Sequence, residues 1–172
     1  MIFRPAFLFC FLTVFAFGCS KEGKLSNFSN IYVTDYNGTP LGGDLTDGQW
    51  QNRPFTESEM DLFTDLDTAN TVGTLKPFSA SVRYAFPNPF SDLLGVPISL
   101  DDNFTGDIVV KYVVVNRSMK VVQKGAQRLQ ATSRAQISLI PAFPAGKYRL
   151  YFTLNSNGNE HFYKSWGNIE RK

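Results

Sequence analysis

Reactive side chains are scarce in this chain of 172 residues, which holds two cysteines and one histidine. Both cysteines, Cys10 and Cys19, fall near the start. From Ser20 onward there is no thiol, so neither a disulfide framework nor a thiolate metal site can form there. With His161 the sole imidazole, a zinc site of ordinary ligands lacks its donors. A hydroxyl nucleophile would need His161 as base and a carboxylate to orient it. Glu160 is adjacent, but neighbours on a strand point to opposite faces, so His161 reads as an exposed or half-buried strand residue. Neither sign of charge dominates: 17 lysines and arginines stand against 15 aspartates and glutamates. That balance argues against a nucleic-acid binder, which needs a clustered basic face. No glycine run has the strand–glycine–helix context that cradles phosphate. No cofactor is expected.

Long apolar runs are also missing. The stretch from Ala6 to Phe17 is too short to cross about 30 Å of hydrocarbon comfortably as a helix. It follows Arg4 and ends at Gly18-Cys19, ahead of polar sequence. A basic head, an apolar middle and a small residue at a processing point make a signal peptide, residues 1–18. Ala16-Phe17-Gly18-Cys19 resembles the bacterial lipobox. The resemblance implies that the preceding peptide is removed, that the Cys19 thiol is lipidated, and that the new amino terminus is acylated. Several acyl chains, at about 0.8 kcal/mol per buried methylene, make a stable anchor. Ser20-Lys21-Glu22 lacks an aspartate after the cysteine, which by analogy with other lipoproteins favours the outer membrane. About 150 residues remain, enough to bury roughly 70% of their unfolded surface as one domain.

Residues 19–30 read as the lipidated cysteine and a flexible tether. Residues 31–83 read as an N-terminal strand, a turn-rich segment and a short helix packed on a sandwich. Ile31–Tyr36 is rich in β-branched and aromatic residues, and Asn37-Gly38 is a hairpin signal. Thr56-Glu-Ser-Glu59 fits a capping box, with Met60, Phe63 and Leu66 on one helix face. The acids at 57, 59 and 61 suit the first turns and read as a solvated face. From residue 79 seven short strands follow, over 79–85, 93–100, 107–115, 119–124, 135–140, 147–155 and 161–169. Their spacing predicts a mainly β fold, an immunoglobulin-like antiparallel β-sandwich over 84–172. DIVVKYVVV, apolar on both faces apart from Lys111, should be a central strand.

Before the second of these strands stands Phe86-Pro-Asn-Pro-Phe90. Both prolines lack a backbone donor and push the residues before them to extended geometry, so this is a rigid lead-in rather than helix or inner strand. The pentapeptide, the hairpin VVVNRSMKVV at 113–122, Pro144-Ala-Gly-Lys-Tyr148 and a terminal strand ending at Lys172 are similar to the C-terminal sorting domain of type IX secretion substrates. That resemblance covers about residues 84–172 and implies an immunoglobulin-like sandwich. The chain departs from it in having no glycine in the hairpin turn, and Trp166-Gly167 in the last strand.

Little else carries chemistry. Asp101 to Asp107 begins like a calcium loop, but its twelfth position is Tyr112, so it reads as a polar turn; Asp65-Leu-Asp67 fails at Lys76 in the same way. No carboxylate pair stands out among 57–67. Asp67-Thr68-Ala69 matches a short bacterial O-glycosylation acceptor. Trp50 and Trp166 are the candidate contacts for a glycan or partner, with core or rim packing as the plain alternative. The expectation is a non-enzymatic, lipid-anchored envelope protein that contacts the membrane through Cys19 and displays a sandwich to a protein partner. Its exposed strand edges would be one docking route. The alternatives are a type IX secretion substrate or accessory, and a glycan-binding surface lipoprotein.

Overall fold

The computed structural model describes residues 25–66, 79–102, 104–156 and 159–172. Among them run β1 (Val33–Thr34), β2 (Pro40–Gly42), α1 (Glu57–Met60) with a 3-10 turn over Asp61–Phe63, β3 (Ala80–Val82), β4 (Leu94–Leu100), β5 (Thr105–Val115), β6 (Val121–Thr132), β7 (Arg134–Leu139), β8 (Gly146–Ser156) and β9 (Asn159–Arg171). The β1–β2 hairpin stands apart. A three-stranded sheet has the order β3-β4-β7, and a four-stranded sheet β6-β5-β8-β9, all antiparallel. In immunoglobulin lettering these are A-B-E and C′-C-F-G. Tyr148, near the start of β8, donates its hydroxyl to Pro144 O at 3.0 Å, the corner tie found in such sandwiches.

Alternation builds the core. Leu94, Val96 and Ile98 of β4 and Ile137 and Leu139 of β7 face Ile108, Val110 and Val114 of β5 and Leu150, Phe152 and Leu154 of β8. All are essentially inaccessible to solvent. The opposite register of β5 and β8, Val113, Val115 and Tyr151, is buried too, under Phe63 of the 3-10 turn. This explains why 107–115 is apolar on both faces: β5 is central in its sheet, and segment 25–66 covers its far side.

The capping box at α1 is present. Glu59 N–H donates to Thr56 Oγ1, and Thr56 N–H to the Glu59 carboxylate. The solvated face holds for Glu57 and Asp61, which are exposed, but not for Glu59. Glu59 is buried, gripped by Arg53 through Nη1 (3.0 Å) and Nη2 (2.6 Å). Phe63 and Leu66 join the cluster on the sheet, whereas Met60 does not.

Two domain boundaries differ from expectation. The tether expected through residue 30 is already packed at Leu25, because Arg149 and Asn168 hold the carbonyls of residues 26, 27 and 30. The sandwich begins at β3, upstream of residue 84, because Ala80–Val82 pairs with Ile98–Leu100.

The two prolines are explained by the alternation of donors around them. Phe86 N–H donates to Gly95 O, Asn88 N–H to Thr34 O and Phe90 N–H to Glu170 O. Pro87 and Pro89 fall at the intervening positions, where the segment asks for no donor. The segment therefore bridges three neighbours, the β1–β2 hairpin, β4 and β9. Asn88 completes the join: its side chain donates to Tyr32 O and Asn168 O and accepts from Glu170 N–H. The β5–β6 turn manages without glycine, as Met119 adopts φ +60° and Asn116 Oδ1 accepts the N–H groups of Ser118 and Lys120.

Candidate interaction surface

Strand edges, expected as a docking route, are closed on two strands. Along β9, Asn168 N–H donates to Gln49 Oε1 (2.8 Å), Lys164 N–H to Asn52 Oδ1 (3.1 Å) and Glu170 N–H to Asn88 Oδ1. Its carbonyls accept from Trp50, Arg53 and Phe90 N–H. Along β7, Gln127 both donates to Ser138 O (2.6 Å) and accepts from Ser138 N–H (3.1 Å). Gln123 does the same for Ile140 O (3.0 Å) and Ala142 N–H (2.7 Å). Primary amides thus imitate the missing neighbour strand. Of the other two edges, β3 has three residues, and β6 bears the exposed charges Lys124 and Arg128, both deterrents to pairing.

The outer face of the four-stranded sheet is sealed by a polar network. The Arg149 guanidinium lies 3.9 Å from the Trp166 ring centre, donates through Nε to Asn168 Oδ1 (2.9 Å) and through Nη2 to Ser26 O (2.9 Å). Arg53 approaches the same ring at 5.5 Å while paired to Glu59. Burial pushes the Glu59 carboxyl upward, but Arg53 and the Thr56 N–H outweigh it and hold it below the ordinary value. Burial likewise raises the Tyr151 hydroxyl, against the pull of Arg149.

Both tryptophans expected as contact platforms are interior. Trp50 is 3% exposed and Trp166 5%. Trp50 packs in the main core, its ring close over Gly167, where a Cβ would lie 2.1 Å from it. Trp166 is roofed by Arg149, so neither ring offers the free face a sugar would stack on. Cys19 and Asp67-Thr68-Ala69 lie outside the described residues. His161 is half-buried, with burial pushing its pKa down and Nδ1 unpartnered. Asp101 accepts from Ser79 N–H, Asp107 pairs with Arg128, and Asp65 pairs with Lys124. Among the described residues no three histidine, cysteine or acidic side chains gather as a metal site.

Among the described residues, nothing covers the outer face of the three-stranded sheet. Hollows of 650 and 360 Å³ lie along it, sharing Phe86 and Gln136, and one of 510 Å³ adjoins them through Asn37, Arg83 and Pro97 at the β3 edge, where Leu45, Val82 and Tyr84 pack on the core. Arg83, beside β4 through its bond to Pro97 O, and Arg134 of β7 are exposed on this face. Neither belongs to an ion pair among the described residues. Tyr84, ring-paired with Tyr32 at 4.3 Å, lines one end, and the exposed Tyr36 the other. Sequence reasoning missed these residues. The available signal was the outward phase of 79–85 and 135–140, which carries Arg83, Gln136 and Ser138.

No family model matches the chain, and no curated protein does. Among solved structures it is similar to a β-glucosidase from Listeria innocua in complex with isofagomine, with 10% identity over 72% of this chain and a TM-score of 0.33. The same enzyme in complex with glucose matches at 10% identity over 83% of this chain, also at 0.33. The chain spans about a fifth of the length of those structures (21% and 22%), and a likeness this weak carries no argument about activity.

Proposed function

We propose that the chain is a non-enzymatic, lipid-anchored protein of the bacterial outer membrane, held through Cys19, that receives a protein partner on the open face of its three-stranded sheet. The observation that supports this reading is the contrast between the surfaces. Among the described residues, one outer face is sealed and two edges are capped, while the other face keeps a groove flanked by two arginines that join no ion pair. Charge complementarity makes an extended, carboxylate-bearing segment the fitting occupant. A glycan is the second reading, favoured by Tyr84 and Phe86 beside amide and guanidinium donors.

The test joins two steps. Protease treatment of intact cells, comparing wild type with Cys19→Ala, establishes which side of the membrane the protein faces and whether the cysteine holds it. Photo-crosslinking from Gln136 in those cells should then yield an adduct that Arg83→Glu with Arg134→Glu abolishes. An adduct that survives the charge reversal, or none at Gln136, sinks the groove as the partner site. Retention on a polysaccharide that Tyr84→Ala removes at unchanged melting temperature would favour the glycan instead.

A further inference from the structure

The start of the described chain is bound to one end of the sandwich. Leu25 N–H donates to Arg117 O (3.2 Å) in the β5–β6 turn. Arg149 Nη2 holds Ser26 O, and Asn168 Nδ2 holds Asn27 O (2.8 Å) and Asn30 O (2.9 Å). Phe28 is buried at the same place. Residues 20–24 alone therefore separate the body of the protein from Cys19, and the six steps from residue 19 to residue 25 reach at most about 20 Å when fully extended. With the lipid anchor proposed above, on which this inference rests, the β5–β6 end of the sandwich is confined to within about that distance of the bilayer.

The chemistry of that end fits such a neighbour. Three of the exposed large apolar side chains lie there: Leu93 (46% exposed), Val121 (38%) and Ile140 (73%). Val121 opens β6 opposite Val115, and Leu93 and Ile140 flank the paired residues Leu94 and Leu139. Arg117, Lys120 and Lys147 are exposed at the same end, and Lys21 and Lys24 sit in the connecting residues. Asp92 is an exposed carboxylate nearby. We propose that this end is a second membrane contact, in which Leu93, Val121 and Ile140 enter the headgroup layer and the cations meet lipid phosphates. Apolar side chains ringed by lysine and arginine are what an interfacial contact needs. A short connection raises their effective concentration at the surface, so a weak patch suffices.

The acylated protein, purified whole, is placed in phosphatidylethanolamine–phosphatidylglycerol vesicles. Acylation leaves no other thiol, so Ile140→Cys or Gln130→Cys can carry a single environment-sensitive dye. Gln130 lies nine residues along β6 from Val121, about 30 Å away. A nitroxide on the lipid headgroup should quench the dye at 140 at least two-fold and leave 130 unchanged. Arg117→Glu, Lys120→Glu and Lys147→Glu together should cut the quenching at 140 by half or more. Equal quenching at both positions, or none at 140 on protein whose acyl mass is verified, overturns the contact. A dye at 140 shielded from aqueous iodide yet untouched by the lipid nitroxide also overturns it, since another molecule then covers the patch. Protein lacking the acyl mass on Cys19 overturns the anchor itself, an outcome that mass spectrometry reads separately.

Discussion

At the scale of single residues, interior contacts do what the chemistry of exposed groups does not. Gly167 exists because Trp50 lies against it. Alanine there would place a methyl carbon 2.1 Å from the indole ring, and neither the strand nor the buried ring has room to move. Gly167→Ala should therefore cost about 1–3 kcal/mol in denaturant unfolding, as overpacked cores do. In a Trp50→Leu background the added cost should shrink, because the obstructing ring is gone; an undiminished cost would place the strain elsewhere. Glu59 makes a pH prediction. Its folded pKa lies below the ordinary 4.5, so its contribution is complete above that value and is lost as pH falls through the depressed folded one. Glu59→Gln should flatten this acid limb of the stability profile and leave the alkaline limb alone. Melting curves across pH 2.5–7 (about one titration range either side) measure it.

Elements are stabilised by what closes their edges. Gln123 and Gln127 share one side of β6, four residues apart, and each binds a donor and an acceptor on the far sheet. Replacing both by leucine should lower stability by about 1–2 kcal/mol, since each net hydrogen bond counts for about 1 kcal/mol or less where water can substitute. It should also bare β7 to other chains, so sedimentation at rising concentration should reveal association absent from wild type. A strictly monomeric double variant would mean that other features guard that edge. The strands themselves were legible because alternation is local: each expected segment overlaps one sandwich strand, and β5 is central as its two apolar faces require. Their ends were not, since β6 runs on to Thr132, eight residues past the expected Lys124, through polar sequence whose pairing with β5 no local pattern announces. The capping box was legible for the same reason. The edge caps were not. Gln49 reaches Asn168 across 119 residues and Asn52 reaches Lys164 across 112, distances at which no local pattern survives. For Trp50 and Trp166 the sequence leaves contact and core packing both open on the same ground: an aromatic ring reveals its size, but which side of the sheet it occupies depends on partners far away in sequence. The groove is harder still, being defined by the lack of any described residue over Arg83 and Arg134.

For the whole molecule the decisive join is between the first described residues and the last strand. Asn168, fully buried in β9, is its hub, with Arg149 on Ser26 O, Gln49 on Asn30 O and Leu25 N–H on Arg117 O beside it. Its Nδ2 grips the carbonyls of Asn27 and Asn30, its Oδ1 accepts from Arg149, its N–H donates to Gln49 and its carbonyl accepts from Asn88. One side chain thus ties the strap over 25–30 to the arginine that roofs Trp166. Asn168→Ala removes the side-chain bonds and keeps the backbone ones. It leaves Arg149, a buried cation, without its Nε acceptor, and it takes one of two donors from each strap carbonyl, leaving Asn27 O to Asn30 N–H and Asn30 O to Gln49 Nε2. The expected loss is about 2–4 kcal/mol, since a buried charged donor left unpaired costs more than a neutral one. The strap should also detach before the sandwich melts, because Leu25 and Phe28 are its only apolar side chains over 25–30. Amide exchange over 25–31 should quicken well below the melting temperature while β5 and β8 stay protected, and mild protease should cut there first. Detachment would lengthen the reach between Cys19 and the sandwich and loosen the geometry that any anchor imposes. If the strap exchanged only in step with β5 and β8, it would be an integral layer of the core, and the sealed face of the four-stranded sheet would open only when the whole domain unfolds.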